Sequence, residues 1–440
     1  MADDLGWGDL QCFNESSPIR TPNFDAMAAA GLKFNRFYSA APVCSPTRGS
    51  CLTGRHPFRY GVYSANVGHM KQNEVTLPEL LREAGYATGH FGKWHLGTLT
   101  KTIRDSNRGG PKSKQHFSPP RLHGYDRCFV TEAKVPTFDP MFAPANAPRT
   151  AWDFLKDKSA GMTYGTRYWN EASEVVGENL TGDDSRVIMD RAIPFIETAA
   201  KEEKPFFAVV WFHAPHLPVV AGPRHVAPYA KYGVYARNYY GCVSALDEQV
   251  GRLRARLREL KIADNTMLWF CSDNGPEGKA GKAPGSAGHL RGRKRSLYEG
   301  GVRVPGILEW PSHVKASRET EFPAVTSDYL PTVLDVLDIE YPDSRPIDGI
   351  SLVPLIEGRA QERTSPIGFQ SAKQLSWVTQ QHKLYSSDNG MSWELYDLVD
   401  DPSEKSDLTS EKPELVKEMV TAFRQWQRSC RKSDSGGDYK

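Results

Sequence analysis

The sequence lacks the features that mark several specialised classes of protein. No stretch approaches the roughly 20 consecutive apolar residues that a membrane-spanning helix needs. The net charge is only +2, so no global charge attracts nucleic acid or anionic lipid. With 39% hydrophobic and 25% charged residues, the composition is that of an ordinary globular protein. A length of 440 residues allows two or three domains, or one large α/β domain with an appendage.

Cysteines are few, scattered and odd in number, and no two of them form a Cys-x-x-Cys pair. This pattern excludes a disulfide scaffold and a structural zinc site, and it leaves the compartment undetermined. The seven cysteines are Cys12, Cys44, Cys51, Cys128, Cys242, Cys271 and Cys430. A signal peptide is also missing, because Met1 is followed at once by Ala2-Asp3-Asp4 without a basic and apolar leader.

Helical and strand patterns alternate along the first three quarters of the chain. Helices are predicted over 22–30, from a capping-box pattern at Thr76 and Glu79 to Gly85, and through 246–260. Apolar runs predict strands over 86–91, 206–212, 266–271 and 302–310. Such alternation favours an α/β fold with a large, mostly parallel sheet covered by helices on both faces.

Polar clusters follow three of the predicted strands, at the edge where parallel sheets place their sites. These clusters are Lys93 with His95, His213 with His216, and Asp273 with Asn274. Residues 97–150 are rich in Gly, Pro and polar side chains and are interpreted as a long functional loop. Between Lys101 and Arg121 this segment is strongly basic, with Asp105 as its only acid.

The pattern of predicted helices and strands changes near Ser327. A short helix over 330–337, a strand over 394–398 and a terminal helix over 412–428 indicate a smaller α+β unit, and residues 433–440 are predicted to be disordered. We therefore predict a large α/β domain over 1–325 and a smaller C-terminal subdomain over 326–440.

Two acidic and amide pairs, Asp3-Asp4 and Asp273-Asn274, carry the hard oxygen ligands that suit Ca²⁺ or Mg²⁺. Taken alone, ordinary turns are the commoner explanation, and the position of the second pair after a predicted buried strand favours the metal site. Cys44 is followed by Arg48 four residues later, which fits either a small buried side chain or a thiolate of lowered pKa. These residues by themselves leave both choices open.

A resemblance to a known family decides between these interpretations of the acidic pairs and of Cys44. The stretch from Cys44 to Arg55 resembles the signature of the sulfatases, in the alkaline-phosphatase-like superfamily, which reads Cys-x-Pro-x-Arg followed by Leu-Thr-Gly. Further segments resemble other motifs of that family in the same order along the chain: Asp3 to Asp9, Thr21 to Asp25, Gly92 to Gly97, His216-Leu217-Pro218, Ser272 to Gly275, Gly292-Arg293-Lys294, Tyr298 to Gly301, Glu394 to Leu398, and Asp401-Pro402.

The resemblance implies an arylsulfatase-like sulfuric ester hydrolase in which a maturation enzyme oxidises Cys44 to formylglycine, whose hydrated aldehyde is the nucleophile. It implies one cation, usually Ca²⁺ with Mg²⁺ also compatible, held by Asp3, Asp4, Asp273, Asn274 and the modified Cys44. Arg48 and Lys93 would stabilise the hydrated aldehyde, and Lys93 and Lys294 would hold sulfate oxygens. His95 would take a proton from the second hydroxyl, and His216 with Lys294 would serve the departing alcohol.

The implied arrangement is chemically coherent. The metal and three side-chain cations form a preorganised cage for charge that develops during sulfate transfer. The second hydroxyl of the hydrated aldehyde can expel the sulfate, whereas a serine nucleophile would be left as a stable sulfate ester. The expected substrate is a sulfated small molecule or glycan. No nucleic-acid partner and no membrane span are expected.

The chain departs from the family pattern in two places. The apolar strand that precedes the Asp-Asp pair in the family is missing, so the chain looks truncated at its N-terminus. We expect Asp3 and Asp4 to fray and to bind metal more weakly than in a longer form; equal calcium affinity would contradict this. The resemblance implies a periplasmic or secreted location. Thr47 replaces the usual Ser or Ala, which bears on the efficiency of maturation.

Two other functions remain open from the sequence. Related enzymes with the same fold and aldehyde hydrolyse phosphonate monoesters or phosphodiesters, and a non-catalytic glycan-binding protein would keep the fold without the chemistry. The basic stretch over 101–121 either attracts a polyanionic glycan or is simply a solvated loop. Three further residues are weaker candidates. His213 is less favoured than His216 for a substrate or supporting role, and His90 and Trp94 are assigned structural roles.

Overall fold

The computed structural model of the chain describes residues 1–159 and 161–439. Its α-helices are α1 (Pro22–Ala30), α2 (Cys44–Thr53), α3 (Leu77–Glu83), α4 (Asp184–Lys201), α5 (Pro223–Val226), α6 (Val234–Glu259), α7 (Glu299–Val302), α8 (Tyr329–Val336), α9 (Val353–Ile356) and α10 (Pro413–Lys432). Its strands are β1 (Leu32–Tyr38), β2 (Ala87–Lys93), β3 (Arg127–Thr131), β4 (Phe142–Pro144), β5 (Gly161–Thr163), β6 (Tyr168–Asn170), β7 (Val175–Val176), β8 (Phe206–Trp211), β9 (Leu268–Cys271), β10 (Arg303–Glu309), β11 (Arg318–Thr320), β12 (Ala324–Val325), β13 (Ile367–Ser371), β14 (Gln374–Val378), β15 (His382–Ser386) and β16 (Glu394–Asp397).

Two five-stranded sheets form the centre of the molecule. One has the order β7-β6-β3-β2-β8, with β2 parallel to β3 and to β8. The other has the order β11-β1-β10-β9, with β12 also paired to β1, and its β10 runs antiparallel to both neighbours. The predicted α/β class is confirmed; its central strands are parallel, and antiparallel pairs extend it at the sides.

The first residues of the chain join these two sheets. The Met1 amino group donates to the Val210 carbonyl at 2.9 Å, and the Phe212 N–H donates to the Met1 carbonyl at 3.0 Å. On the other side, the Ala2 N–H donates to the Cys271 carbonyl at 2.8 Å. Met1 and Ala2 thus form a short segment that pairs with β8 on one side and, in parallel, with β9 on the other; we call it the N-terminal rung. Upstream of this rung, the facing edges of β8 and β9 border an apolar cavity of about 690 Å³.

This rung corrects the expectation that Asp3 and Asp4 fray. Both side chains are buried, because the backbone just before them is hydrogen-bonded on two sides. Whether a longer form binds metal more tightly stays a prediction.

Helices cover both faces of the central sheets. On one face α1, α4 and α6 pack together and against β2, β8 and β10. As the sequence pattern predicts, Phe24 and Met27 of α1 and Leu246 and Val250 of α6 are buried there. On the other face lie α2, α3 and α8, with α3 against β2. Within the described residues, every helix is too short or too polar to cross a bilayer.

Two sequence predictions about irregular regions are wrong. Residues 97–150 are not all loop, because Arg127–Thr131 forms β3 inside the sheet. The tail predicted to be disordered is ordered over residues 433–439 and packs on the α/β part of the chain, where Asp438 pairs with Arg55 and the Tyr439 hydroxyl donates to Glu74. Residue 440 lies outside the described residues.

The C-terminal part forms a separate antiparallel sheet in the order β13-β14-β15-β16, with α10 packed on it. Charged groups in its contact with the α/β part are buried. Lys383 of β15 lies 2.9 Å from both Glu299 and Glu404, and the Tyr38 hydroxyl donates to Glu299 at 2.8 Å. The boundary between residues 325 and 326 remains a prediction.

Candidate active site

The carboxyl ends of the parallel strands bring the predicted site residues together. Asp3 and Asp4 follow the N-terminal rung, Lys93 ends β2, and Asp273 and Asn274 come directly after β9. Gly92 allows the close approach of β2 to β8: its φ is +101°, and a Cβ at this position would collide with the Trp211 carbonyl oxygen. Any larger residue here would push Lys93 out of place.

Cys44 is the first residue of α2, so its side chain lies at the positive end of that helix. Thr47 stabilises the turn before α2, because its hydroxyl donates to the Ala41 carbonyl at 3.0 Å. Arg48, one turn further on, is buried and stacks on the ring of Trp211 at 5.1 Å. The helix therefore presents a sulfur atom and a guanidinium to the same buried space.

Asp3, Cys44 and Asp273 converge, with one ligand atom of each within 4.8 Å of the others. Lys93 Nζ contacts Asp3 Oδ2 at 2.7 Å, and Arg48 Nη2 contacts Asp273 Oδ2 at 2.6 Å and Asp3 Oδ2 at 3.4 Å. Burial by itself would raise the pKa of Asp3, but the positive charges of Lys93, His216 and Arg48 hold that pKa well below its ordinary value. Asp3 is therefore an anion.

Asp4 is the centre of a second group of contacts. Lys294 Nζ lies 2.6 Å from Asp4 Oδ1, and the Asn274 amide donates to the same oxygen at 2.8 Å. His216 Nε2 lies 3.7 Å from Asp4 Oδ2. Asp4 has a left-handed backbone (φ +67°), an uncommon conformation for a residue with a Cβ, of the kind found at functional sites.

The donor set fits a hard divalent cation. Asp3 Oδ1 and Asn274 Oδ1 are buried and accept no hydrogen bond from the residues that the structure describes. Leaving such oxygens unpaired costs free energy that a bound ion would recover. Three carboxylates and an amide oxygen would hold that ion, and Arg48, Lys93 and Lys294 balance the carboxylate charge.

Cys44 in its thiol form is a poor nucleophile in this environment. Burial raises the pKa of the thiol, although the charges of Lys93 and Lys294 act in the opposite direction. A protonated thiol neither attacks an ester nor binds a metal well. As an unmodified thiol, Cys44 is therefore unreactive in this environment.

The two candidate proton-transfer histidines differ in their contacts. His216 Nδ1 donates to the Leu217 carbonyl at 2.7 Å, which leaves Nε2 directed toward Asp4. Burial lowers the pKa of His216 to about 4, against the opposing effect of Asp3 and Asp4. His95 is buried, and its Nε2 lies 3.0 Å from Asn66 Oδ1. Burial and the charges of Lys93 and Arg48 lower the pKa of His95 well below its ordinary value.

Sequence reasoning missed three polar residues around this site. Lys134, just after β3, is near enough for the charges of Lys93 and Lys294 to lower its pKa, after burial as the larger cause. Glu277 lies 3.5 Å from Lys294 and 2.7 Å from Arg295. Asn66 contacts His95. Each lies in a loop without periodicity, so the sequence offered no signal that it borders the site.

Other residues singled out from the sequence have structural contacts. His213 is fully buried between Asp184 and Thr131, at 2.7 Å from each, and so connects α4 to the end of β3. His90 packs against aromatic rings, and the buried Trp94 donates to the Ser118 carbonyl at 2.6 Å. The Glu299 carboxylate belongs to the buried contact with the C-terminal sheet.

The chain resembles known proteins over most of its length. The family described as Sulfatase matches residues 1–339, and the family described as N-sulphoglucosamine sulphohydrolase, C-terminal, matches residues 289–429. N-acetylgalactosamine-6-sulfatase of Sus scrofa is 34% identical over 414 residues, which cover 90% of this chain and 72% of that protein.

Solved structures share the fold. The crystal structure of Ps i-CgsB in complex with k-i-k-neocarrahexaose superposes with a TM-score of 0.81 at 27% identity, covering 98% of this chain and 92% of that one. The phosphonate monoester hydrolase of Agrobacterium radiobacter superposes with a TM-score of 0.67 at 18% identity, covering 98% and 94%. That second likeness concerns the fold alone.

The α/β fold and its cage of cations and carboxylates define an enzyme that acts on an anionic ester. The chain belongs to the sulfatase family and is a sulfuric ester hydrolase.

Proposed function

We propose that this sulfatase removes sulfate esters from a carbohydrate, using a formylglycine made from Cys44 and one divalent cation, Ca²⁺ by preference. The observation that carries the proposal is the convergence of Cys44 with Asp3 and Asp273 inside a ring of three buried cations. A bound cation would neutralise charge on the sulfate oxygens, and the hydrated aldehyde would supply the attacking hydroxyl.

The side chains of this chain bind and orient the sulfate. Arg48, Lys93 and Lys294 are buried cations fixed by carboxylates at 2.6–2.7 Å, so they are held in place before the substrate arrives. Preorganised charge of this kind stabilises a transition state without reorganisation at the moment of reaction. Lys134 adds a fourth positive charge at the border of the site.

Proton transfer falls to the two histidines. Since His216 Nδ1 already donates to the Leu217 carbonyl, Nε2 is the atom that carries a proton to the departing alcohol. A sulfate anion beside this ring raises its pKa from about 4 toward the range in which it is an effective acid. His95, neutral in its buried position, accepts the proton of the second hydroxyl of the hydrated aldehyde when the sulfate is expelled.

A sulfated glycan is the substrate class that the surroundings favour. The exposed charges in the segment over 101–121 are all basic, since Asp105 is buried and hydrogen-bonded to Trp169. The same segment reaches the site through Asn107, which donates to Asn66. Two relatives reported above are associated with sugars, one by its name and one by its bound oligosaccharide. We also propose a periplasmic or secreted location and a maturation enzyme as partner, both from family resemblance.

The test is turnover of a panel of defined sulfated sugars beside an aryl sulfate, a steroid sulfate and a phosphonate monoester, by enzyme co-expressed with a formylglycine-generating enzyme. Mass spectrometry of the tryptic peptide from Phe37 to Arg48 reports the conversion of Cys44. Cys44→Ala should abolish turnover. Cys51→Ala, a buried cysteine on the same helix, is the matched control and should retain it.

Faster cleavage of the phosphonate than of every sulfate would overturn the choice of reaction. A fast aryl or steroid sulfate with inert sugars would overturn only the substrate class. Full activity in enzyme whose Cys44 is entirely unmodified, or in Cys44→Ala, would overturn the role of formylglycine.

A further inference from the structure

A short loop after α2 reaches the ring of His95. Ser64 and Val67 form an antiparallel bridge that closes this loop, and Asn66 lies at its tip with a φ of +62°. Asn66 Oδ1 is 3.0 Å from His95 Nε2. Asparagine is among the few residues that accept a left-handed backbone readily, so it can occupy the tip and still present its amide to the ring.

The contact fixes which nitrogen of His95 carries the proton. An amide oxygen only accepts hydrogen bonds, so His95 Nε2 must be the donor. In a neutral imidazole the lone pair is then on Nδ1. His95 Nδ1 is buried and has no hydrogen-bond partner among the residues that the structure describes. An unpaired buried acceptor is costly, so Nδ1 is open to a partner that the described residues do not supply.

The loop that carries Asn66 is itself held from the other side. The Asn107 amide donates to Asn66 Oδ1 at 3.3 Å, and Arg108 Nη1 donates to the Gly68 carbonyl at 2.6 Å. Arg108 in turn lies 3.5 Å from the buried Glu132. Since the Asn107 amide also points at Oδ1, the two contacts agree that the oxygen, and not the nitrogen, faces His95.

We propose that Asn66 is a positioning residue for His95: its amide oxygen holds the ring proton on Nε2 and keeps Nδ1 available as the proton acceptor. The catalytic part of this statement rests on the proposed function, whereas the tautomer of His95 does not. Asn66 does not touch the reacting atoms and acts only through the orientation and tautomer of the ring. This also gives the basic segment over 101–121 a second task, the support of the loop that carries Asn66.

Two variants and one control separate positioning from folding. Asn66→Gly removes the acceptor while tolerating the left-handed backbone, and Asn66→Asp keeps an acceptor oxygen. Asn389→Gly is the matched control, because Asn389 is an exposed left-handed asparagine (φ +63°) in the β15–β16 connection. Nitrogen-15 NMR of histidine-labelled protein distinguishes Nδ1-H from Nε2-H rings, and loss of one signal in His95→Gln identifies His95.

We expect His95 to be the Nε2-H tautomer in the parent, in Asn66→Asp and in Asn389→Gly. In Asn66→Gly the nitrogen-15 signals of His95 should move toward those of the Nδ1-H tautomer or toward an average of the two tautomers. With the best sulfate ester, kcat of Asn66→Gly should fall by about 10- to 100-fold with little change in KM, as for loss of a supporting hydrogen bond. Asn66→Asp should recover part of this loss. The acidic limb of its pH–rate profile should move to higher pH, because a carboxylate beside His95 favours the protonated ring.

An Nδ1-H ring in the parent, or an Nε2-H ring unchanged in Asn66→Gly, would overturn the proposal. So would a fall in kcat that Asn66→Asp does not relieve while the protein stays folded. If the tautomer depends on Asn66 but the parent hydrolyses no sulfate ester, the proposed function fails and the positioning of His95 stands.

Discussion

Replacement of Lys294 by methionine should separate metal binding from catalysis. Lys294 Nζ lies 2.6 Å from Asp4 Oδ1, and the side chains are only 5% and 1% exposed. Burial alone would lower the pKa of Lys294, yet the carboxylates of Asp4 and Asp3 raise it well above its ordinary value. The amine therefore remains charged and neutralises a carboxylate that a cation would otherwise bind.

Lys294→Met is expected to lower the stability of the metal-free protein and to raise its affinity for calcium. Without metal, loss of one partner of a buried ion pair typically costs about 3–5 kcal/mol of unfolding free energy. We expect the lower end, about 3 kcal/mol, because Asn274 still donates to Asp4 at 2.8 Å. With Ca²⁺ the ion replaces the lost charge, so most of that stability should return. Calcium no longer competes with the amine, so its affinity should rise at least tenfold, by about 1.4 kcal/mol.

Urea denaturation in EDTA and in saturating CaCl₂ measures the stability, and isothermal titration calorimetry measures the calcium affinity. Turnover of the best sulfate ester should fall sharply in both media, because Lys294 is one of the cations that we propose to bind the sulfate. Arg295→Met is the matched control. Arg295 also pairs with Glu277, but its side chain is 62% exposed. An exposed pair contributes at most about 1 kcal/mol, so this variant should resemble the parent.

The reasoning would be refuted if Lys294→Met bound calcium more weakly than the parent. It would also be refuted if the stability loss were the same with and without calcium. Either result would mean that Lys294 and the cation do not share the Asp4 carboxylate.

Three further predictions concern other parts of the molecule. Burial raises the pKa of Glu132 to about 7, above its value in the unfolded chain. The stability that this carboxyl contributes is therefore present below about pH 4.5 and is lost as pH rises through 7. Glu132→Gln should reduce this fall in the free energy of unfolding by up to about 1.4 kcal/mol per pH unit. Lys383→Met leaves Glu299 buried with one cation fewer, and the urea-derived unfolding free energy should fall by about 3–5 kcal/mol. Lys112→Glu combined with Lys114→Glu should lower kcat/KM for a sulfated oligosaccharide severalfold, and less at high salt, while leaving a small aryl sulfate unaffected.

Each of these has its own control. An unchanged pH dependence in Glu132→Gln would mean that this carboxyl is ionised throughout the range. Lys373→Met, at an exposed lysine of the same C-terminal sheet, should change stability by no more than about 0.5 kcal/mol; a loss equal to that of Lys383→Met would contradict the importance of the buried contact. Equal effects of the double charge reversal on both substrates would mean that the basic segment does not meet the glycan.

Local sequence patterns determined the helices and strands that carry the candidate site. The apolar runs before Lys93 and Asp273 predict buried strands, and a parallel sheet gathers whatever follows such strands at one edge. The helix from Pro22 to Ala30 and the hydrogen bond from the Thr76 N–H to the Glu79 carboxylate follow from capping and periodicity, which are properties of neighbouring residues. The Cys44 motif was recognised because its residues are contiguous along one helix.

Contacts between distant segments were decided only by the tertiary structure. Asn66 faces His95, Glu132 lies beside Arg108, and the tail after Ser433 packs against Arg55, although no periodic pattern connects these residues. The N-terminal rung likewise depends on backbone hydrogen bonds to β8 and β9, more than 200 residues away in sequence. Strand and helix signals arise within a few residues, whereas the burial and pairing of a loop side chain depend on which remote surfaces close over it.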